Sequence, residues 1–177
     1  SSLRVGTSAH IEPVDVVIDP DQIARGINPA SPRDADREAG RRAIEIFNAS
    51  LATGKSISLE TTLSGHSIIR RITAARMAGY HVELRYIALA SVEMNVQRVR
   101  ARAAGGGHFI EPEAIRRRYI GSLVNLPTVI GLSDRVVISD NSGVMPEPVL
   151  EIENGQIVRR GMTMPAWLVS TCPDLCC

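Results

Sequence analysis

Residues 57–65 read ISLETTLSG. Ile57 and Leu59 fall on one side of an extended chain, as in a buried strand. Glu60, Thr61, Thr62, Ser64 and Gly65 then place a carboxylate and three hydroxyls where that strand stops. Ser64 or Ser67 is readily explained as a cap for a following helix. Glu60 is not, because an ionised carboxylate at a buried strand end is costly without a partner. The second reading is a rim that holds a polar substrate, with Gly65 allowing close backbone approach.

Outward from this stretch the chain alternates strand and helix. VDVVID (14–19) is a short apolar strand. From Asp34 onward, apolar residues recur at Ala39, Ala43, Ile46, Phe47 and Leu51 until Gly54, which predicts a helix with its stop. Ser67 opens a second helix that Gly79 ends, and HVELRYIAL (81–89) is rich in strand formers. Ser91 opens a third helix, which runs into Gly105, Gly106 and Gly107, and Pro112 suits the first turn of a fourth. RVVIS (135–139) is another strand, and VLEIENGQIVRR (149–160) predicts a hairpin turning at Asn154-Gly155. Strands separated by helices predict an α/β fold: a three-layer parallel sheet with helices on both faces and a C-terminal β-hairpin. Ligands in such sheets bind at the carboxyl ends of the strands. That rule collects Asp19, Asp21, Glu60 to Ser64, and Asp140-Asn141 on one rim.

At 177 residues with 44% apolar content, the chain is long enough for a single domain with a real core. A formal net charge of +1 and few aromatics argue against a nucleic-acid partner. No apolar run is long enough to span a membrane, and a cytoplasmic protein without membrane association is expected. Cys172, Cys176 and Cys177 crowd the last six residues, leaving the body without a disulfide framework. The expected division is therefore residues 1–168 as the domain and 169–177 as a cysteine-containing tail, frayed and reduced.

On the rim, Asp21 is placed either to accept a proton from a substrate hydroxyl or to cap a short helix. Arg98 and Arg102 share a helix face, and Arg116, Arg117 and Arg118 follow the glycine run with His108. Such a set is either a solvated basic face or a lid whose guanidinium groups close on phosphate oxygens. Asp140-Asn141-Ser142-Gly143 is either a plain turn or a cradle for an adenine edge.

Taken in order, IDPDQIARGINP, ETTLSG, RVRARAAGGGH, IRRRY, SLVNLP, DNSG and MPAWL resemble the zeta-toxin-like P-loop kinases over nearly the whole chain. The resemblance implies a P-loop kinase-like fold and ATP- and Mg2+-dependent phosphorylation of a hydroxyl on a nucleotide sugar such as UDP-N-acetylglucosamine. Asp21 then matches the catalytic base, and Glu60, Thr61, Thr62 and Ser64 match the substrate-contacting segment. Arg98, Arg102 and Arg118 match phosphate-binding lid positions, and Asn141 matches the motif near adenine. An antitoxin protein partners some toxin members of the family. One departure is large: the family's first strand and its glycine-rich loop ending in Gly-Lys-Ser are not found in the sequence. Lys55, the sole lysine, stands in the wrong context. The register of Ser1-Ser2-Leu3 puts Ser1 in the magnesium-binding position and implies a truncated chain that lacks the central strand. Glu111 also stands where the family often has proline. Without the loop the chain is expected to be inactive or impaired, and the alternative is a non-catalytic nucleotide-sugar-binding module.

Overall fold

In the computed structural model, which describes residues 2–6, 14–105 and 110–176, seven strands form one sheet in the order β2-β3-β1-β4-β5-β6-β7. Strands β1 (Ser2–Gly6), β2 (Val16–Ile18), β3 (Ile57–Leu59), β4 (His81–Ala88) and β5 (Arg135–Asp140) are parallel. Strands β6 (Glu147–Glu153) and β7 (Gln156–Arg160) close the sheet as an antiparallel hairpin. Its turn lies at Asn154 and Gly155, both with positive φ as a tight two-residue turn requires. The helices are α1 (Pro20–Ile27), α2 (Asp36–Ala52), α3 (His66–Met77), α4 (Val92–Ala104), α5 (Pro112–Gly131) and α6 (Ala166–Thr171). This is the α/β fold expected, a largely parallel sheet with a C-terminal β-hairpin.

The expected gap at the centre of the sheet is filled. Ser2–Gly6 pairs with β3 through Leu3↔Ile57 and Val5↔Leu59, and with β4 through Leu3↔Val82 and Val5↔Leu84. An open slot there would leave backbone donors and acceptors of two strands unpaired, and a short strand inserted between them satisfies both edges. The expectation of a missing first strand is therefore corrected. The Gly-Lys-Ser signature remains absent from the sequence. Residues 7–13, which follow β1, and Ser1, Gly106, Gly107, His108 and Cys177 lie outside the described residues.

Helices α2, α3 and α5 pack against one face of the sheet. Each crossover from β2 to β3, β3 to β4 and β4 to β5 steps the same way along the sheet, and right-handed crossovers then put their helices on the same side. One hydrophobic cluster joins Ala43 and Phe47 of α2, Ile68 and Ile72 of α3, Leu126 and Val129 of α5 and Leu168 of α6 to Ile18, Ile57, Leu59, Val82, Leu84, Val136 and Ile138 of the strands. Burying one such side chain contributes about 1.5–3 kcal/mol. The alternate strand positions face away from this cluster. There Val17 and Ile87 are exposed, and Glu83 is buried between Arg85 (Nε 2.8 Å from the carboxylate) and Arg135 (3.8 Å).

Strand ends are fixed from below as well. Asp134 accepts from the Val82 amide at 2.7 Å and from Arg76 at 3.2 Å, tying the starts of β4 and β5 to α3. The boundary expected after residue 168 falls inside α6. Cys172 belongs to the hydrophobic cluster, where burial pushes its thiol up to about 11. Leu175 and Cys176 also pack against this cluster.

Candidate functional site

The carboxyl ends of β1, β3 and β4 open into a cavity of about 260 Å³. Its floor is Leu84, Tyr86 and Ala88, one wall is Thr61, Thr62 and Leu63, and the other comes from α4 and α5, including Asn95, Ile115, Arg118 and Ser122. The arrangement follows from strand alternation. Leu84, Tyr86 and Ala88 take the inward positions of β4, and the strand ends where the loops begin.

The loop after β3 is the most firmly held part. The Glu60 amide donates to the Ile18 carbonyl at 2.9 Å, continuing the ladder one residue beyond β3 and setting Glu60 beside the end of β2. Thr61 Oγ1 accepts from the Leu63 amide at 3.1 Å, and the Thr62 and Ser64 hydroxyls lie 2.8 Å apart. Leu63 is buried and carries a φ of +58. Its carbonyl accepts from Asn125 Nδ2 of α5 at 2.7 Å, with both groups buried. Beneath the cavity the Tyr86 and Ser122 hydroxyls meet at 2.6 Å. Burial pushes the Tyr86 phenol up to about 12, so it is neutral and able to donate.

At the end of β2, Asp19 caps α1 by accepting from the Asp21 amide at 2.9 Å. Asp21 is exposed in the first turn of α1, on the same rim as Glu60. Arg118 is exposed and lines the cavity. Its neighbour Arg116 is engaged instead with Glu93 and Glu113, at 3.5 Å each. Arg102 lies exposed in the last turn of α4. Arg98 donates to the Gly143 carbonyl at 3.2 Å, so it ties α4 to the loop after β5.

That loop is ordered around Asp140. Its carboxylate accepts from Trp167 Nε1 at 2.6 Å and from the Ser142 amide at 2.7 Å, and Ser142 Oγ in turn accepts from the Ala90 amide. Burial alone would raise the Asp140 carboxyl, but the bonds from Ser142 and Trp167, with Arg98 nearby, outweigh it and hold it below the usual value. The Asn141 amide donates to the Ala88 carbonyl at 2.8 Å, continuing the ladder just past the end of β5. The structure therefore brings Thr61, Thr62 and Arg118 to one cavity, keeps Glu60, Ser64 and Asp21 on the same rim, and leaves Arg98, Arg102 and Asn141 outside the cavity lining. Sequence reading missed Tyr86, Asn95, Ser122 and Asn125. For Tyr86 the signal was its inward parity on β4, and for the others it was polar residues on the inner face of a helix.

A bound nucleoside triphosphate needs a cradle of backbone donors with a lysine, and magnesium needs hard oxygen ligands. Gly6, at the end of β1, has no room for a side chain, since a Cβ there would fall 1.8 Å from the Arg85 carbonyl oxygen of β4. Lys55 precedes β3 and so lies at the opposite end of the sheet from the rim. Among the described residues no group of three or more His, Cys, Asp or Glu side chains could hold a metal ion. The described residues, which do not include 7–13 after β1, do not by themselves fit a complete magnesium-triphosphate site. None of the described helices is long and apolar enough to cross a membrane.

No protein-family model matches the chain. Among solved structures, it is similar to the AvrRxo1-ORF1:-ORF2 complex with ATP, at a TM-score of 0.64 and 18% identity, covering 80% of this chain and 49% of that one. Similarity to the same complex with sulphate ions gives a TM-score of 0.65 at 19% identity, over 87% of this chain and 52% of that one. The PezAT chromosomal toxin-antitoxin system of Streptococcus pneumoniae gives 0.53 at 11% identity, over 85% and 71%. These likenesses are of fold, and the chain spans about half the length of the AvrRxo1 chains it matches. In sequence, an uncharacterized protein of Haemophilus influenzae is 44% identical over 119 residues, 67% of this chain and 83% of that protein. The chain belongs to the same family as that Haemophilus influenzae protein.

Proposed function

We propose that the chain carries the acceptor half of a phosphotransferase site, built to hold a nucleotide sugar such as UDP-N-acetylglucosamine for phosphorylation of one of its hydroxyls. The observation that carries this reading is the pinned loop 60–64 at the cavity mouth, facing Arg118 across it. In this reading Glu60, Thr61, Thr62 and Ser64 bind the sugar hydroxyls, and Asp21 takes the proton from the hydroxyl that is phosphorylated. Arg118 and Arg102 offset charge on phosphate oxygens, and Arg98 and Asn141 border the nucleotide. ATP with magnesium is the donor the fold calls for. With no Gly-Lys-Ser loop in the sequence, no transfer step is assigned to these 177 residues, and they are expected to bind the acceptor without turning over ATP.

The missing loop also favours a second reading, a nucleotide-sugar-binding module without catalysis. An antitoxin-type protein partner is proposed by analogy with the toxin-antitoxin complexes that share the fold. The test uses Trp167, the sole tryptophan, whose ring centroid lies 6.0 Å from that of Tyr86 at the cavity floor. Titration with UDP-N-acetylglucosamine is expected to change its fluorescence saturably, and Glu60→Gln is expected to weaken the response. A flat titration removes both readings. Rapid phosphoryl transfer from ATP, abolished by Asp21→Asn, would overturn the expected impairment and establish a complete kinase.

A further inference from the structure

Thr61 and Thr62 line the cavity, yet the loop that carries them is short, polar and bent through a left-handed residue. Leucine takes a φ of +58 only when its surroundings over-determine it. Two features of α5 do so. Asn125 Nδ2 donates to the Leu63 carbonyl at 2.7 Å in a buried contact. One turn earlier, Gly121 leaves a notch into which Ser64 fits: a Cβ on Gly121 would lie 2.9 Å from the Ser64 carbonyl oxygen and 3.3 Å from its Cβ. Residues four apart share a helix face, so the notch and the amide form one seat. The same helix carries Arg118 to the cavity and Ser122 to the Tyr86 hydroxyl.

We propose that Asn125 is a positioning residue, which with Gly121 seats loop 61–64 so that the Thr61 and Thr62 hydroxyls stand at a fixed distance from Arg118. The buried Leu63 carbonyl has a definite requirement, a neutral donor of about the reach of an amide. Asparagine supplies it. Aspartate supplies it only when protonated, and burial beside a carbonyl raises a carboxyl's pKa, so the aspartate variant would regain the bond as pH falls. Leucine supplies it at no pH. The identity of the ligand rests on the proposed function. The seat itself does not.

The experiment compares wild type, Asn125→Asp, Asn125→Leu and Gly121→Ala. Amide hydrogen exchange without ligand comes first. At pH 7.5 the protection of residues 61–65 is expected to fall about tenfold in Asn125→Asp and Asn125→Leu, the effect of one buried hydrogen bond. At pH 5 only Asn125→Asp is expected to recover. Gly121→Ala should loosen the same segment at both pH values by crowding Ser64. Ionisable groups on elements packed against α5 include His66 and Arg71 on α3, Tyr86 on β4, Glu93 and Arg98 on α4, and Cys172 just after α6, and the wild-type profile measured alongside carries their part. Protection of the loop unchanged in every variant overturns the seat. If Asn125→Leu loses protection throughout β4 and β5 and so fails to fold, the pH dependence of Asn125→Asp decides alone.

Binding of UDP-N-acetylglucosamine is measured second. The dissociation constant of Asn125→Asp is expected to rise about tenfold over wild type at pH 7.5 and the ratio to close at pH 5. A loosened loop with unchanged affinity would make Asn125 merely structural and overturn the positioning role. Failure of wild type to bind removes the proposed function, while the exchange profile still decides the seat.

Discussion

The two sides of the rim are built differently. The loop after β3 is held by the Glu60 ladder bond, the Thr61 turn, the Asn125 amide and the Gly121 notch, with Leu63 anchored in the core. The end of α4 carries Arg98 and Arg102 into solvent, and Arg98 makes an exposed bond to a carbonyl. Under the proposed function, the fixed hydroxyls would form a preorganised acceptor side and the exposed guanidinium groups a side that adjusts to phosphate.

That contrast can be broken by substitution. Leu63→Ala removes a buried side chain from the core and is expected to cost about 2–5 kcal/mol in chemical denaturation. Were it as mild as a change at Arg102, the loop would not be anchored. Asp140→Ala, between the two sides, leaves the Trp167 indole N–H unpaired and is expected to cost about 1–3 kcal/mol. The native Asp140 carboxyl is held low, so its contribution is present above the unfolded value near 3.9 and lost as pH falls through the lower folded value. An acid limb of the stability curve identical in Asp140→Asn would contradict this.

Tyr86→Phe removes the bond to Ser122 and is expected to cost about 1 kcal/mol at neutral pH. Because the folded Tyr86 phenol is raised to about 12, its share of stability is complete below about 10 and is lost as pH rises through 12. Cys172 acts in the same sense at lower pH, losing its share as pH rises through about 11. The double variant Tyr86→Phe, Cys172→Ala is expected to flatten the alkaline limb measured by denaturant titration. Smallest of all, Arg102→Ala is expected to change stability by no more than about 0.5 kcal/mol, because the residue is exposed.

Much of the fold was legible because it follows from local pattern. Ile57 and Leu59 announced β3, Ser91 caps α4 through the Met94 amide, and Asn154-Gly155 turns the hairpin. Ser2–Gly6 was not legible as a strand, since two apolar residues around Arg4 become a strand only when two open edges receive them. The rim was legible through Glu60 to Ser64, whose polarity contradicts a strand end. The Asn125 contact was not, because it joins residues 62 apart in sequence and depends on how α5 crosses the sheet. Tyr86 and Ser122, 36 apart, were hidden for the same reason. The packing of Cys172 was lost because a terminal cysteine cluster reads as a tail until Trp167 and Leu168 draw α6 into the core.

Calorimetric titration of UDP-N-acetylglucosamine into wild type, Thr62→Val and Arg102→Ala tests the proposed acceptor site most directly. Saturable binding that weakens about tenfold in Thr62→Val, by loss of one hydrogen bond, and less in Arg102→Ala is the expected result. Absence of heat in wild type, or equal affinity in Thr62→Val, would contradict a sugar-binding role for the pinned loop.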